Sequence, residues 1–446
     1  MSTLFKQIIT NDTKRVFALA LPAAMKHLAD ILQILVDMIM VGYVSVYALA
    51  AVGLSMQFMM FINVLMTLYI VGGNALISRF IGSGRVKRAS ALLFSLGLFA
   101  LLLSVAVTIV GYTQADELYR LMGASSGVVA AGASYFRVLV LGISLIFLDN
   151  LLYNALSAAG DTKTSLYIKL FSSVVNAFFN YVLIFGHFGV EAMGIEGAAL
   201  ATLISYAFNV AIYALLLFRS KKAKLHFIPL FVKNDLVRAL RIGYYAAIDR
   251  AVSTMSFLLF VAIIAYYGTA ELAGYQVGLR IEGLAFMPGF GFAIASMALV
   301  GQALGAKDPQ KAYNLGIIAA RVAYVFMGLV GVGLILFSQD LVSFFTKDKE
   351  TMYIASEYLI LVGLAQIPLA LTFVYSASLR GAGDTKTVMR VNVFSLWLFR
   401  VIPSYIAYKT GFGVIAVFII MNVETAIKGV LYSYLYRQKR WLHVKV

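Results

Sequence analysis

The chain has 446 residues, 62% of them hydrophobic and 13% charged. No water-soluble fold hides that much apolar surface, so the soluble globular classes are excluded and a lipid-embedded protein is expected. The net charge of +16 and the absence of cysteine leave a basic chain with no disulfides and no thiolate-ligated metal.

The first 15 residues hold no apolar core followed by a cleavage site, so no removable leader is expected and the first span acts as its own insertion signal. Apolar stretches then follow one another to the end. The spans are predicted at 16–43, 48–78, 89–112, 134–157, 164–187 and 194–218, then 237–267, 271–301, 312–337, 354–378, 387–408 and 412–436. Each reaches or extends to the roughly 20 residues a bilayer crossing requires. Lipid offers the backbone no partners, so helices are expected. The fold class is therefore all-α and integral to a membrane, with 12 transmembrane helices.

The basic residues are not spread evenly. About 25 of the 36 Lys and Arg fall at the termini or in alternate loops, among them Arg79, Arg85, Lys87, Arg88, Arg219, Lys221, Lys222 and Lys224. The opposite loops carry only Arg120, Lys347, Lys349 and Lys409. This is the positive-inside bias, with both termini cytoplasmic, rather than a nucleic-acid surface.

The chain also repeats itself at an offset of 223 residues: Tyr135 and Tyr358, Gly82 and Gly305, Ala89 and Ala312, and the loops Ala159–Thr164 and Ala382–Thr387, both AGDTKT. Two pseudo-symmetric six-helix lobes follow, 1–218 and 236–446, joined by a basic cytoplasmic linker, 219–235. Duplicated halves are a common transporter plan. The doubled loops lack the phosphate-binding spacing. They read as turns in which Gly160 and Gly383 end one helix while Asp161 and Asp384 cap the next.

Ionisable residues inside spans are the functional candidates, because a charge at mid-bilayer costs about 2.5–3.5 kcal/mol even on the lenient scale. Asp37 has apolar neighbours on every side and no Lys or Arg within a turn. A carboxylate there calls for a proton, a cation or a hydrogen-bond donor, the chemistry of a coupling site. Asn176 and Asn180 share a face of the fifth span, and Thr202 of the sixth reaches a similar depth. Lys26 and His27 of the first span fall, at the repeat offset, on Asp249 and Arg250 of the seventh. A Lys26–Asp249 ion pair, gating or purely structural, is expected, and Asp30, one turn from Lys26, either joins that network or simply neutralises Lys26 within the first span. Asp149 is expected to pair with Lys169, and Glu424 with Lys428 one turn on. Arg280, Glu282 and Arg400 have no assigned partner.

Asp37, Asn176, Asn180 and the paired GDTKT loops, together with MVGYVSVYALAAVGLS (Met40–Ser55), ALVGQALGAKD (Ala298–Asp308) and SLRGAGDTKT (Ser378–Thr387), resemble the multidrug and toxic compound extrusion (MATE) family over nearly the whole chain. The resemblance implies two six-helix bundles arranged in a V. It implies alternating access and export of amphipathic, often cationic, compounds in exchange for H+ or Na+. It makes Asp37 the coupling carboxylate and adds Asn176, Asn180 and Thr202 to the first-lobe site, with Asn154 as a further position. Some members carry Asp where Asn180 stands, so this site has one carboxylate fewer. Ser253 and Leu369 occupy positions that are acidic in the NorM-type branch, so the chain looks closer to the DinF-type branch.

These readings favour a proton-coupled multidrug antiporter over a Na+-coupled one with Na+ held at Asp37 and Asn180. No cofactor is expected. The partners are small amphipathic cations and the lipid bilayer, the oligomeric state a monomer, and the location the bacterial inner membrane. A flippase for lipid-linked precursors is the alternative within transport. An intramembrane enzyme lacks a nucleophile–base or metal-ligand cluster.

Overall fold

The computed structural model describes residues 11–219 and 224–444. Lys221, Lys222 and the adjoining part of the expected linker lie outside the described residues. Among those residues the chain is helical, with no strand. The helices are α1 (Asn11–Gly42), α2 (Val46–Gly82), α3 (Val86–Thr113), α4 (Ala115–Leu121), α5 (Ser126–Leu141), α6 (Ile143–Ala158), α7 (Thr162–Phe185) and α8 (Gly194–Arg219). After the linker come α9 (Lys233–Ala265), α10 (Thr269–Ala285), α11 (Met287–Gly305), α12 (Pro309–Leu336), α13 (Ser338–Ser343), α14 (Lys349–Gly381) and α15 (Thr385–Leu396). A π-helical turn (Trp397–Val401), α16 (Ile402–Lys409), α17 (Val414–Arg437) and a 3-10 turn (Arg440–His443) complete the fold. Eleven helices are long and apolar enough to cross a membrane, or up to 12 if one bent pair is a single span.

Three predicted spans differ from simple rods, each for a local reason. The fourth is the bent pair α5 and α6, which meet at 55° around Gly142. A side chain at Gly142 would run into the Leu203 side chain of α8, which would have to shift to admit it. The eighth is divided at Phe286 into α10 and α11, with Pro288 in the first turn of the new helix. In the eleventh, Pro403 has no N–H for the carbonyl four residues earlier. The preceding turn widens to a π-helix in which Ile402 N–H bonds Trp397 O.

The doubled loops do what their sequence implies. Gly160 and Gly383 adopt φ of 83° and 85°. Asp161 accepts from Thr164 N–H at 3.1 Å and Asp384 from Thr387 N–H at 3.3 Å, capping α7 and α15 alike.

The chain forms two compact units, one of Met25–Leu240 and the other of everything from Arg241 onward together with α1 up to Ala24. Their limits differ from the expected 1–218 and 236–446 at both ends. Val16 and Ala20 of α1 are buried in the core of the later unit with Phe292 and Ala295. The start of α9 belongs to the earlier unit, where Asp235 pairs with Arg88 at 2.7 Å.

Candidate functional site

Within the earlier unit, α1 and α7 face each other through matched polar stripes. On α1 the stripe is Lys26, Asp30, Gln33 and Asp37; on α7 it is Lys169, Ser173, Asn176 and Asn180. Both follow the 4–3–4 spacing that keeps side chains on one helix face. The contacts advance together along both helices. Lys169 Nζ reaches Asp30 Oδ1 at 2.9 Å and Gln33 Oε1 at 2.6 Å. Ser173 Oγ donates to Gln33 Oε1 at 3.2 Å. Asn180 Nδ2 donates to Asp37 Oδ1 at 2.5 Å and to Asn176 Oδ1 at 3.2 Å.

At the lower end Asp30 is held from three sides. Lys26 Nζ lies 2.9 Å from Oδ2 and His27 Nδ1 3.6 Å, with Lys169 on the other oxygen. The Lys26 ammonium also sits over the Tyr153 ring, 4.1 Å from its centroid. Such a pairing offsets the desolvation of the charges it removes from water.

At the upper end the arrangement is different. Asp37 accepts from an amide and has no ion pair among the described residues, although the Lys169 charge lies within electrostatic reach. Asn176 and Asn180 are fully buried, whereas Asp37 is half-buried. Two polar atoms beside it, Asn180 Oδ1 and Asn176 Nδ2, are buried without a partner among the described residues. Unpaired buried groups are costly, so such a pair marks a place where a proton, ion or water completes the bonding. Asp149 and Glu282 also lack an ion pair, but each is only 6% exposed. Asp149 is held by Asn209 and Glu282 by the hydroxyl of Tyr358.

The structure brings Asp37, Asn176 and Asn180 together as expected. Thr202 is not among their bonded partners in the described residues; its carbonyl accepts from Ser205 Oγ at 2.7 Å within α8. Asn154 is engaged elsewhere, accepting from Asn74 Nδ2 at 3.2 Å. Two expected pairs are corrected. Lys26 is taken by Asp30 rather than Asp249, which instead binds Arg380 at 2.7 Å and Asn392 at 2.6 Å. Lys169 is taken by Asp30 rather than Asp149. In both cases the partner taken lies on the facing stripe or on the same helix face. The Glu424–Lys428 pair is present at 3.0 Å, and Arg400 joins it at 2.7 Å. Arg250 forms none of these bonds and lines a cavity of the later unit. Sequence reasoning passed over Gln33 and named Lys169 only as a partner for Asp149; the 4–3–4 spacing on both helices was the signal that places them in the ladder.

The repeat offset makes the asymmetry explicit. Lys26, Asp30 and Lys169 fall on Asp249, Ser253 and Asn392, and Asn392 Nδ2 bonds both Asp249 Oδ1 and Ser253 Oγ. The lower ends of the two ladders are thus related. Gln33, Asp37, Asn176 and Asn180 fall on Ser256, Phe260, Phe399 and Pro403. The half-buried carboxylate with its amides has no counterpart in the later unit.

A family model described as MatE matches residues 22–182 and, a second time, residues 246–406. A Thermotoga maritima protein named "Probable multidrug resistance protein NorM" is 27% identical over 442 residues, covering 98% of this chain and 94% of that protein. A Bacillus subtilis protein named "Probable multidrug resistance protein YoeA" is 27% identical over 418 residues, covering 91% of this chain and 89% of that one. Among solved structures, a MOP superfamily transporter from Pyrococcus furiosus, described as having a binding pocket of reverse polarity, superposes with a TM-score of 0.89. It shares 22% identity and covers 98% of both chains. An outward-facing MATE family transporter of the MOP superfamily gives 0.88 at 22% identity, over 97% of both chains.

Proposed function

Because the chain belongs to the MatE family, and so is a membrane transporter of the multidrug-extrusion type rather than an enzyme, we propose that it is an H+-coupled antiporter for amphipathic cations. In this reading Asp37 carries the proton and Asn176 and Asn180 report its charge state. The observation that carries it is the pairing of a half-buried, cation-free carboxylate with two buried, unpartnered amide atoms.

The chemistry follows from donor and acceptor inventories. Ionised Asp37 is an acceptor only, and Asn180 presents its Nδ2 donor. A protonated carboxyl carries a donor of its own. Rotation of the Asn180 amide then offers Oδ1, which has no partner in the present arrangement. That rotation also withdraws Nδ2 from Asn176 Oδ1, an acceptor on the same helix, and so rearranges the polar contacts along α7 beside Asp37. The ionised form attracts a substrate cation; the protonated form does not. Proton and drug therefore compete for one charge, and occupancy is tied to the polar contacts of α7, a coupling that alternating access requires.

Two features favour H+ over Na+. Asp37 is a lone carboxylate where a hard cation prefers several oxygens. The Lys169 ammonium, already bonded to Asp30 and Gln33, occupies the middle of the ladder as a tethered cation. The same arrangement, with acidic positions missing at Ser253 and Leu369, supports the DinF-type branch. A bacterial inner-membrane location, a monomer, and both termini on the cytoplasmic side complete the proposal.

Proteoliposomes loaded with a fluorescent cation, with ΔpH and ΔNa+ imposed separately, test it. The expected result is efflux driven by ΔpH alone, lost in Asp37→Asn and retained in Asp149→Asn. Full ΔpH-driven efflux by a correctly inserted Asp37→Asn chain would overturn it.

A further inference from the structure

The later unit contains a cavity of its own, 430 Å3 in volume, bounded by α9, α10, α11, α14, α15 and α17. Its polar wall is basic. Arg250, Arg380, Arg400 and Lys428 all line it. Three carboxylates serve these four cations. Asp249 binds Arg380, Glu424 binds both Arg400 and Lys428, and Glu282 is bonded to Tyr358 with Arg400 in electrostatic reach. Arg250 has no carboxylate within ion-pair distance among the described residues, although Asp249 as well as Arg380 lies within its electrostatic reach. The Nε donors of Arg380 and Arg400 are buried with no acceptor among the described residues. Four cations thus share three carboxylates, and two buried guanidinium donors are left without acceptors, which leaves the wall able to take a further anion. The remaining wall is aromatic, with Phe257, Phe286, Phe290 and Phe373 offering flat apolar faces.

We propose that this cavity binds an amphipathic organic anion, an aromatic carboxylate or its like, with the anionic group between Arg250 and Arg380 and the ring system against the phenylalanines. Arginine forks match carboxylate geometry bidentately, and phenyl walls reward a planar body. The site lies wholly in the later unit and does not depend on the reading of Asp37. It gives the chain a ligand class of opposite sign to the cations that Asp37 attracts.

The test is binding by the full-length chain in lipid nanodiscs. The probes are naphthoate, its neutral analogue naphthylmethanol and its cationic analogue naphthylmethylammonium, measured by calorimetry. Naphthoate is expected to bind about tenfold or more tightly than the alcohol, since hydrogen bonds to charged groups are the strong ones. Arg250→Gln should remove that advantage and leave the alcohol unaffected. Should Arg250→Gln fail to fold, Thr372→Asp supplies the anion from a cavity-lining position and should exclude naphthoate while raising the thermal midpoint. Asp37→Asn should bind naphthoate as the parent does, which separates this site from the coupling site. Equal affinity for naphthoate and naphthylmethanol would overturn the proposal, as would undiminished naphthoate binding by folded Arg250→Gln or Thr372→Asp.

Discussion

At the scale of single residues, the ladder of the earlier unit has a part that holds and, in the proposed mechanism, a part that switches. Asp30 holds: its carboxylate is bonded by Lys26 and Lys169, both 2.9 Å away and both largely buried. Asp30→Asn leaves two buried ammonium groups without their shared anion. Breaking such a pair costs about 3–5 kcal/mol, so the variant should show a clearly lowered thermal midpoint in detergent, whatever its transport activity. Asn180 switches. Asn180→Asp sets a second carboxylate beside Asp37, where the amide now donates at 2.5 Å. Two adjacent carboxylates repel unless a proton or cation sits between them, and a second charged oxygen ligand is what a hard cation lacks at the present site. This variant should respond to an imposed Na+ gradient in the same liposome assay, where the parent chain does not. A Na+ response already present in the parent would contradict the role given to the missing carboxylate.

At the scale of the helices, the clearest case is the π-helical turn before Pro403. It carries Arg400 to Glu424 at 2.7 Å, and Glu424 is fully buried. In an ordinary helix interior, replacing Pro by Ala stabilises by about 3 kcal/mol. Here Pro403→Ala restores an N–H to the carbonyl of Phe399, tightens the turn, and rotates Arg400 off its partner. The expected outcome is a thermal midpoint that does not rise, and the measurement is a melting curve against the parent. A rise of several degrees would show that the wide turn is not what positions Arg400. This element also shows what sequence carries and what it withholds. The apolar spans, the repeat and the capped AGDTKT turns are local patterns, and local physics fixes them. The lone acid at Asp37 is legible because a charge among apolar neighbours stands out. Partner choice is not legible from offset alone: symmetry points Lys26 at Asp249, but Asp30 one turn away on the same helix holds it. At the bend, Leu203 packs against Gly142 from α8, a tertiary fact that no window around residue 142 contains.

At the scale of the molecule, the two halves share a plan and divide the labour. The doubled turns and the related lower ladders preserve the duplication, while Phe260, Phe399 and Pro403 stand where Asp37, Asn176 and Asn180 stand in the other half. Acids of the later unit are committed, Asp249 and Glu424 to cations and Glu282 to Tyr358. In the proposed exchange, with one titrating carboxylate per cycle, one proton would enter for each monovalent cation exported, and the net charge moved would be zero. A membrane potential worth about 2.3 kcal/mol per charge per 100 mV then does no work on the exchange. A pH difference of one unit, worth about 1.36 kcal/mol, supports about a tenfold ratio of a monovalent drug. In proteoliposomes at equal pH, a valinomycin–K+ potential should leave the initial rate of monovalent cation efflux unchanged once the Asp37→Asn background is subtracted, whereas an electrically neutral substrate should be driven by it. A potential-driven rate for the monovalent cation would mean that a second group titrates. Asp149 and Glu282, the buried acids without an ion pair, are then the residues to replace next.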